Sequence, residues 1–116
     1  MESQEKLNAI LEYADDMKAE RIETLDVHAK TTVAHYFVVC TGTSDVHVRA
    51  IAERVAEKMR ENHKIKPLRT EAGDASWVLQ DFGDVVFNVM RDEKRQFYDL
   101  ESLWNTMAPD SSLIVE

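Results

Sequence analysis

The segment from His35 to Met59 changes its hydrophobic period once, and that change limits the fold more than any other feature of the chain. His35 to Thr41 (HYFVVCT) is a β-branched and aromatic run, the pattern of a central strand covered on both faces. Gly42-Thr43-Ser44-Asp45 interrupts it. Val48, Ile51, Ala52, Val55 and Met59 then recur at three-and-four spacing, which puts them on one face of a helix reaching Asn62. Ser44 suits the N-cap, and Asp45 suits the positive end of the helix dipole. A covered strand that turns tightly into an amphipathic helix requires a sheet with helices packed on it, an α/β domain.

The flanking segments fit that frame. Leu7, Ile10, Leu11, Ala14 and Met17 share a face of a helix predicted over Gln4 to Glu20, with Ser3 as its N-cap and Glu5, Glu12, Asp15, Asp16 and Lys18 in solvent. Ile22 to Val27 (IETLDV) alternates like a half-buried strand. A polar connection, His28 to Thr32, follows. Ile65 to Thr70 reads as a short strand, and Pro67, with no N–H to donate, sends it to a sheet edge. Glu71 to Ser76 reads as a polar loop. Trp77 to Asp81 (WVLQD) and Val85 to Met90 (VVFNVM) read as strands joined by a turn at Phe82-Gly83-Asp84. A last helix is expected from Glu93 to Trp104, with Phe97, Leu100 and Trp104 on one face. Pro109 and Asp110 break the remainder. The expectation is one domain over residues 1–105, a mixed β-sheet flanked by helices, and a flexible tail over 106–116. A chain of 116 residues suits a single domain.

Charge narrows the partners. Twenty-two Asp and Glu against fourteen Lys and Arg give a net charge of −8. Nucleic-acid affinity rests on neutralising phosphates with basic side chains. The one basic strip (Arg49, Arg54, Lys58, Arg60) is interrupted by Glu53, Glu57 and Glu61, so little direct nucleic-acid binding is expected. A basic protein surface is the more natural partner. The longest strictly apolar run, Tyr36 to Cys40, is far short of the roughly 20 residues that span a bilayer, so no membrane association is expected. Cys40 is the single cysteine. It allows no internal disulfide and favours a cytoplasmic address. The opening residues Glu2, Gln4 and Glu5, polar and not basic, do not read as a secretory signal.

Candidate chemistry is sparse. His28, His35, His47 and His63 are not spaced to share a helical turn, so no metal site is expected. Cys40 lies in the most buried strand and lacks an activating neighbour in the sequence. Asp81-Phe82-Gly83 spells the kinase metal-binding triplet, but the Gly-rich and H-R-D loops of a kinase are missing. The Gly42-Thr43-Ser44 turn could hold a phosphate on backbone N–H groups at a helix start, or it could simply be a capped helix. Nucleotidyltransferases use such a turn together with two carboxylates two apart on a strand. The only pair so spaced, Asp99 and Glu101, falls in the predicted last helix, where the two side chains diverge. No catalytic residue and no cofactor are therefore assigned.

The remaining signal is apolar. Trp77, Phe82 and Met90 belong to the hairpin, and adjacent exposed aromatics mark contact surfaces. Alternation puts Trp77, Leu79 and Asp81 on one face and Val78, Gln80 and Phe82 on the other. Phe82, at the turn tip, is expected to be exposed, and Asp81 and Asp84 would rim the contact. The competing assignment makes Trp77 a core residue beneath the last helix.

With these residues in view, the chain resembles the ribosomal silencing factor (Iojap-like) family. The resemblance runs from Leu7 to Trp104. It is carried by Leu25-Asp26-Val27, Tyr36-Phe37-Val38-Val39, Thr41-Gly42-Thr43-Ser44, His47-Val48, Ile51-Ala52, Trp77-Val78, Asp81, Gly83-Asp84-Val85-Val86, Arg95, Tyr98, Leu100-Glu101 and Leu103-Trp104. The chain departs from the pattern at Ala72, where the family usually has Gly, and at Asn88, where it usually has His. The loop before Trp77 is about one residue shorter than in the family pattern.

The resemblance implies a nucleotidyltransferase-like fold without transferase chemistry, and a homodimer in the free protein. It also implies binding to the large ribosomal subunit through ribosomal protein L-fourteen, on the face that meets the small subunit. Subunit joining would be blocked sterically and translation repressed, mostly when nutrients are short. The residues assigned to that contact are Trp77, Leu79, Phe82 and Met90 as apolar contacts, with Glu71, Asp81 and Asp84 as acidic ones. The alternatives are a nucleotide- or phosphate-binding domain using Gly42 to Ser44, and a module that only dimerises.

Overall fold

A computed structural model describes residues 1–27 and 34–98. Its elements are α1 (Ser3–Asp16), β1 (Glu20–Asp26), β2 (Tyr36–Gly42), α2 (Asp45–His63), β3 (Arg69–Asp74), β4 (Trp77–Asp81), β5 (Val85–Arg91) and α3 (Asp92–Tyr98). The five strands form one mixed sheet in the order β1-β2-β5-β4-β3. β2 and β5 run parallel, with Tyr36 opposite Val85, and every other neighbouring pair is antiparallel. A parallel pair needs a long crossover, and here the connection contains α2.

Alternation along the strands sorts the core into two layers. Val38, Cys40, Val78, Val85, Phe87 and Val89 face α1 and α2 and pack with Leu7, Ile10, Ala14, Val48, Ile51, Val55 and Met59. The predicted stripe of α2 is its buried face, residue for residue. On the other side of the sheet, Phe37, Val39, Val86 and Met90 form a smaller cluster, with Leu25, Trp77 and Leu79 partly buried against it.

The turn from β2 into α2 explains its glycine. Ser44 Oγ accepts the His47 N–H at 3.1 Å, the expected N-cap. A Cβ at Gly42 would lie 2.7 Å from Val48 Cγ2 and 2.9 Å from the Val48 backbone nitrogen. The glycine thus lets strand and helix approach closely. Gly42→Ala forces backbone apart and is expected to cost about 1–3 kcal/mol, read as a lower denaturant midpoint at unchanged slope.

Several sequence expectations shift. Ser3 is not the N-cap of α1: Glu2 is, in a capping box with Glu5. The Ser3 hydroxyl instead donates to Asp84 and meets His35 Nδ1. α1 ends at Asp16 because Lys18 adopts a φ of 61°, so Glu20 joins β1 instead of the helix. β1 does not alternate cleanly. Its register shifts between Glu20 and Glu23, Arg21 has a φ of 49°, and Arg95 donates to the Arg21 carbonyl at 2.6 Å.

The third strand occupies the predicted sheet edge but not the predicted residues. Lys64, with a φ of 61°, closes α2. Strand pairing begins only past Pro67, at Arg69. Much of the expected Glu71–Ser76 loop is therefore strand. Leu100, Trp104, the tail over 106–116 and the His28–Thr32 connection lie outside the described residues.

Candidate functional site

β4 presents Trp77, Leu79 and Asp81 on the side of the sheet away from α1 and α2, as alternation predicts. On the opposite side, Gln80 Nε2 donates to the Ala52 carbonyl at 2.8 Å and ties β4 to α2. Trp77 and Leu79 are half-buried. Residues paired across a ladder point the same way. The β3 register therefore sets Glu71 beside Leu79 and Arg69 beside Asp81. The result is an apolar pair on the outer part of the sheet, flanked by two carboxylates. Arg69, not anticipated from sequence, lies 3.6 Å from Glu71, with both side chains mostly exposed. Such a pair is worth little in water, so Glu71 stays open to a stronger basic partner.

Two hydrogen bonds fix this face. Trp77 Nε1 donates to Asn88 Oδ1 at 3.0 Å. Asp81 Oδ1 accepts the Gly83 N–H at 2.8 Å and closes the turn, where Gly83 takes a φ of 93°. Alanine at Gly83 would be strained by that φ.

Three residues assigned to the contact do not belong on it. Phe82 is only 3% exposed and sits in the helix-side cluster. Alternation from Val78 and Gln80 turns it inward, and α1 lies over the turn, where Lys6 Nζ donates to the Phe82 carbonyl at 2.9 Å. Met90 is fully buried, because it lies on the central strand between Thr41 of β2 and Trp77 of β4. Asp84 is already engaged, at 2.6 Å from Lys6 Nζ and hydrogen-bonded by Ser3. Nothing in the sequence flagged Lys6, one polar residue in an amphipathic helix, as its partner.

Burial pushes the Asp84 carboxyl up, but hydrogen bonds from Lys6 and Ser3 and the Lys6 charge outweigh it and hold the group below its ordinary 3.8. The sign follows from linkage. The pairing stabilises the fold fully above pH 3.8 and is lost as pH falls through the depressed native value. Asp84→Asn is expected to lower stability at neutral pH and to flatten the acid-side loss, measured by urea unfolding across an acid pH series.

The other candidate chemistries find no support in the geometry. The Gly42–Ser44 turn is filled from within. His47 Nδ1 accepts the Thr43 N–H at 2.9 Å, and His47 Nε2 reaches the Met17 carbonyl at 2.8 Å. Ser44 takes the His47 N–H, and Asp45 adds negative charge 3.2 Å from Arg91. Two of the amides a phosphate could use, those of Thr43 and His47, are therefore engaged, and the Asp45 carboxylate at the helix start opposes a second anion. The Thr43–His47 spacing, one helical turn apart, was the available signal. His63 bonds the Tyr13 hydroxyl at 2.9 Å. Burial pushes the Cys40 thiol up to about 12, against a smaller opposing pull from Arg95, so it is not a nucleophile at neutral pH. Asp99 and Glu101 lie outside the described residues.

The chain is similar to known proteins in sequence and in fold. The family profile described as "Ribosomal silencing factor during starvation" matches residues 1–115. A ribosomal silencing factor of Bacillus subtilis is 44% identical over 91 residues, covering 78% of this chain and 76% of that protein. A crystal structure of a Chromobacterium violaceum protein superposes with a TM-score of 0.86 at 35% identity, covering 95% of this chain and 92% of the other. One from Bacillus halodurans gives 0.77 at 36% identity, covering 87% and 94%. Profile, sequence and fold agree along nearly the whole length, and the chain belongs to the ribosomal silencing factor family.

Proposed function

We propose that this protein represses translation by binding the large ribosomal subunit through ribosomal protein L-fourteen and sterically blocking the joining of the small subunit. The observation that carries the reading is the outer face of β3 and β4. Trp77 and Leu79 lie there half-buried, with Glu71 and Asp81 beside them, in a chain with a net charge of −8. A half-buried aromatic anchor with an acidic rim suits a basic protein surface. Trp77 and Leu79 supply the apolar contact. Glu71 and the Asp81 oxygen not used in the turn meet Arg or Lys of the partner. The role requires bulk and affinity, not bond chemistry, and it is exercised in the cytoplasm. The free protein is a homodimer in this reading.

Co-sedimentation with isolated ribosomal subunits, read beside light-scattering of subunit joining, tests it. Stoichiometric binding to the large subunit alone, with joining suppressed, is the expected result. Binding that is absent at micromolar concentration, or equal for both subunits, would overturn the proposal.

A further inference from the structure

We infer that Asn88 is a positioning residue for the partner-binding face: its buried carboxamide sets the orientation in which the Trp77 indole meets the partner. This rests on the reading above for what the face binds, but the Asn88–Trp77 link itself is a property of the free protein.

Asn88 is fully buried in the central strand, between Val86 and Met90 along β5's face and between Val39 of β2 and Leu79 of β4 across it. All four neighbours are apolar. A primary amide there gives up water at a real cost, and leucine, with the same branched shape but bulkier methyls, would not incur it. The amide must therefore gain something specific. Its Nδ2 lies 3.4 Å from the Val38 carbonyl, at the outer limit of a hydrogen bond, whereas its Oδ1 accepts from Trp77 Nε1 at 3.0 Å. The stronger contact is the one to the indole.

That contact has two effects on the site. The indole, half-buried on β4, is held in one ring orientation, because the flipped ring would carry its N–H away from the acceptor. The N–H is also consumed internally. What the ring offers outward is apolar edge and π-face, beside the carboxylates of Glu71 and Asp81. Such a surface suits an aliphatic stem ending in a cation, an Arg or Lys of the partner, better than a hydrogen-bond acceptor.

The test reads the free protein and the complex separately. In the free protein, the Trp77 indole N–H is followed by nuclear magnetic resonance, with Trp104→Phe identifying its signal. Asn88→Leu is expected to shift that resonance and speed its hydrogen exchange by about tenfold or more, as an N–H released from a bond should. Asn88→Val, smaller and β-branched, serves if the leucine variant does not fold.

In the complex, Asn88→Leu is expected to weaken large-subunit binding by about fivefold or more in the Trp77 protein and to have no further effect in a Trp77→Phe background, which has no N–H to place. An unchanged indole exchange rate, or the same loss of binding in both backgrounds, would overturn the inference. If exchange responds to Asn88 while no Trp77 variant alters binding, the link stands and the assignment of the face to the ribosome fails.

Discussion

Phe82→Ala is expected to cost about 3–5 kcal/mol of folding stability, the range for truncating a buried aromatic. The ring is 3% exposed and belongs to the cluster that joins Leu7 and Ile10 of α1 to Val85 and Phe87 of β5. Its removal leaves a cavity between the hairpin turn and the first helix, a place where two elements cannot both move in to fill it. A domain of this size holds about 5–15 kcal/mol in total, so the variant would sit near the limit of folding. Urea unfolding followed by circular dichroism is the measurement. Below the temperature at which the variant melts, its affinity for the large subunit should match the parent, because the ring is buried in the helix-side cluster and is not on the proposed face. A variant that stays fully stable but loses binding would restore Phe82 to the contact.

Trp77→Ala should do the reverse. The side chain covers the margin of the smaller cluster and is only half-buried, so the fold survives its loss. A buried aromatic anchor at an interface is worth about 2 kcal/mol or more, which predicts a loss of about tenfold or more in large-subunit affinity. Most of that change should appear as faster dissociation, since the apolar contact forms after encounter. Titration of labelled protein against large subunits, with a thermal melt of the same sample, separates the two properties. A globally unfolded Trp77→Ala protein would mean that the tryptophan is a core residue and that the face lies elsewhere.

The contrast between these two aromatics shows where sequence reading succeeds. The buried stripe of α2 and the two faces of β4 were legible because side-chain period alone determines them. Phe82 was misjudged because a turn tip is exposed only if nothing lies over it, and the packing of α1 on the hairpin is a long-range fact. Asp84 was misjudged for the same reason, since its partner Lys6 comes from α1. The third strand does lie at a sheet edge, but Pro67 is outside it, since the strand starts at Arg69 after Lys64 closes α2 in a left-handed conformation, which a lysine does not advertise. Ser3 competed with Glu2 for the cap, and the reciprocal Glu2–Glu5 box prevailed. On the candidate face, Trp77, Leu79, Glu71 and Asp81 were all named in advance. Arg69 was not, because its place depends on the β3–β4 register.

The parallel pairing of β2 with β5 sets the order in which this molecule can come into being. Tyr36 finds its partner at Val85, across most of a helix layer and a hairpin, so the middle of the sheet is closed by a distant contact instead of a neighbouring one. Closing such a loop costs chain entropy before any ladder bond repays it, and folds of this kind assemble more slowly than helical bundles of equal length. During synthesis, β1 and β2 leave the ribosome with a bare apolar edge that only β5 can cover. Until Val85 to Arg91 have been made, the nascent chain has no completed sheet, and β2, paired with β1 on one side, keeps its other edge open in a crowded cell.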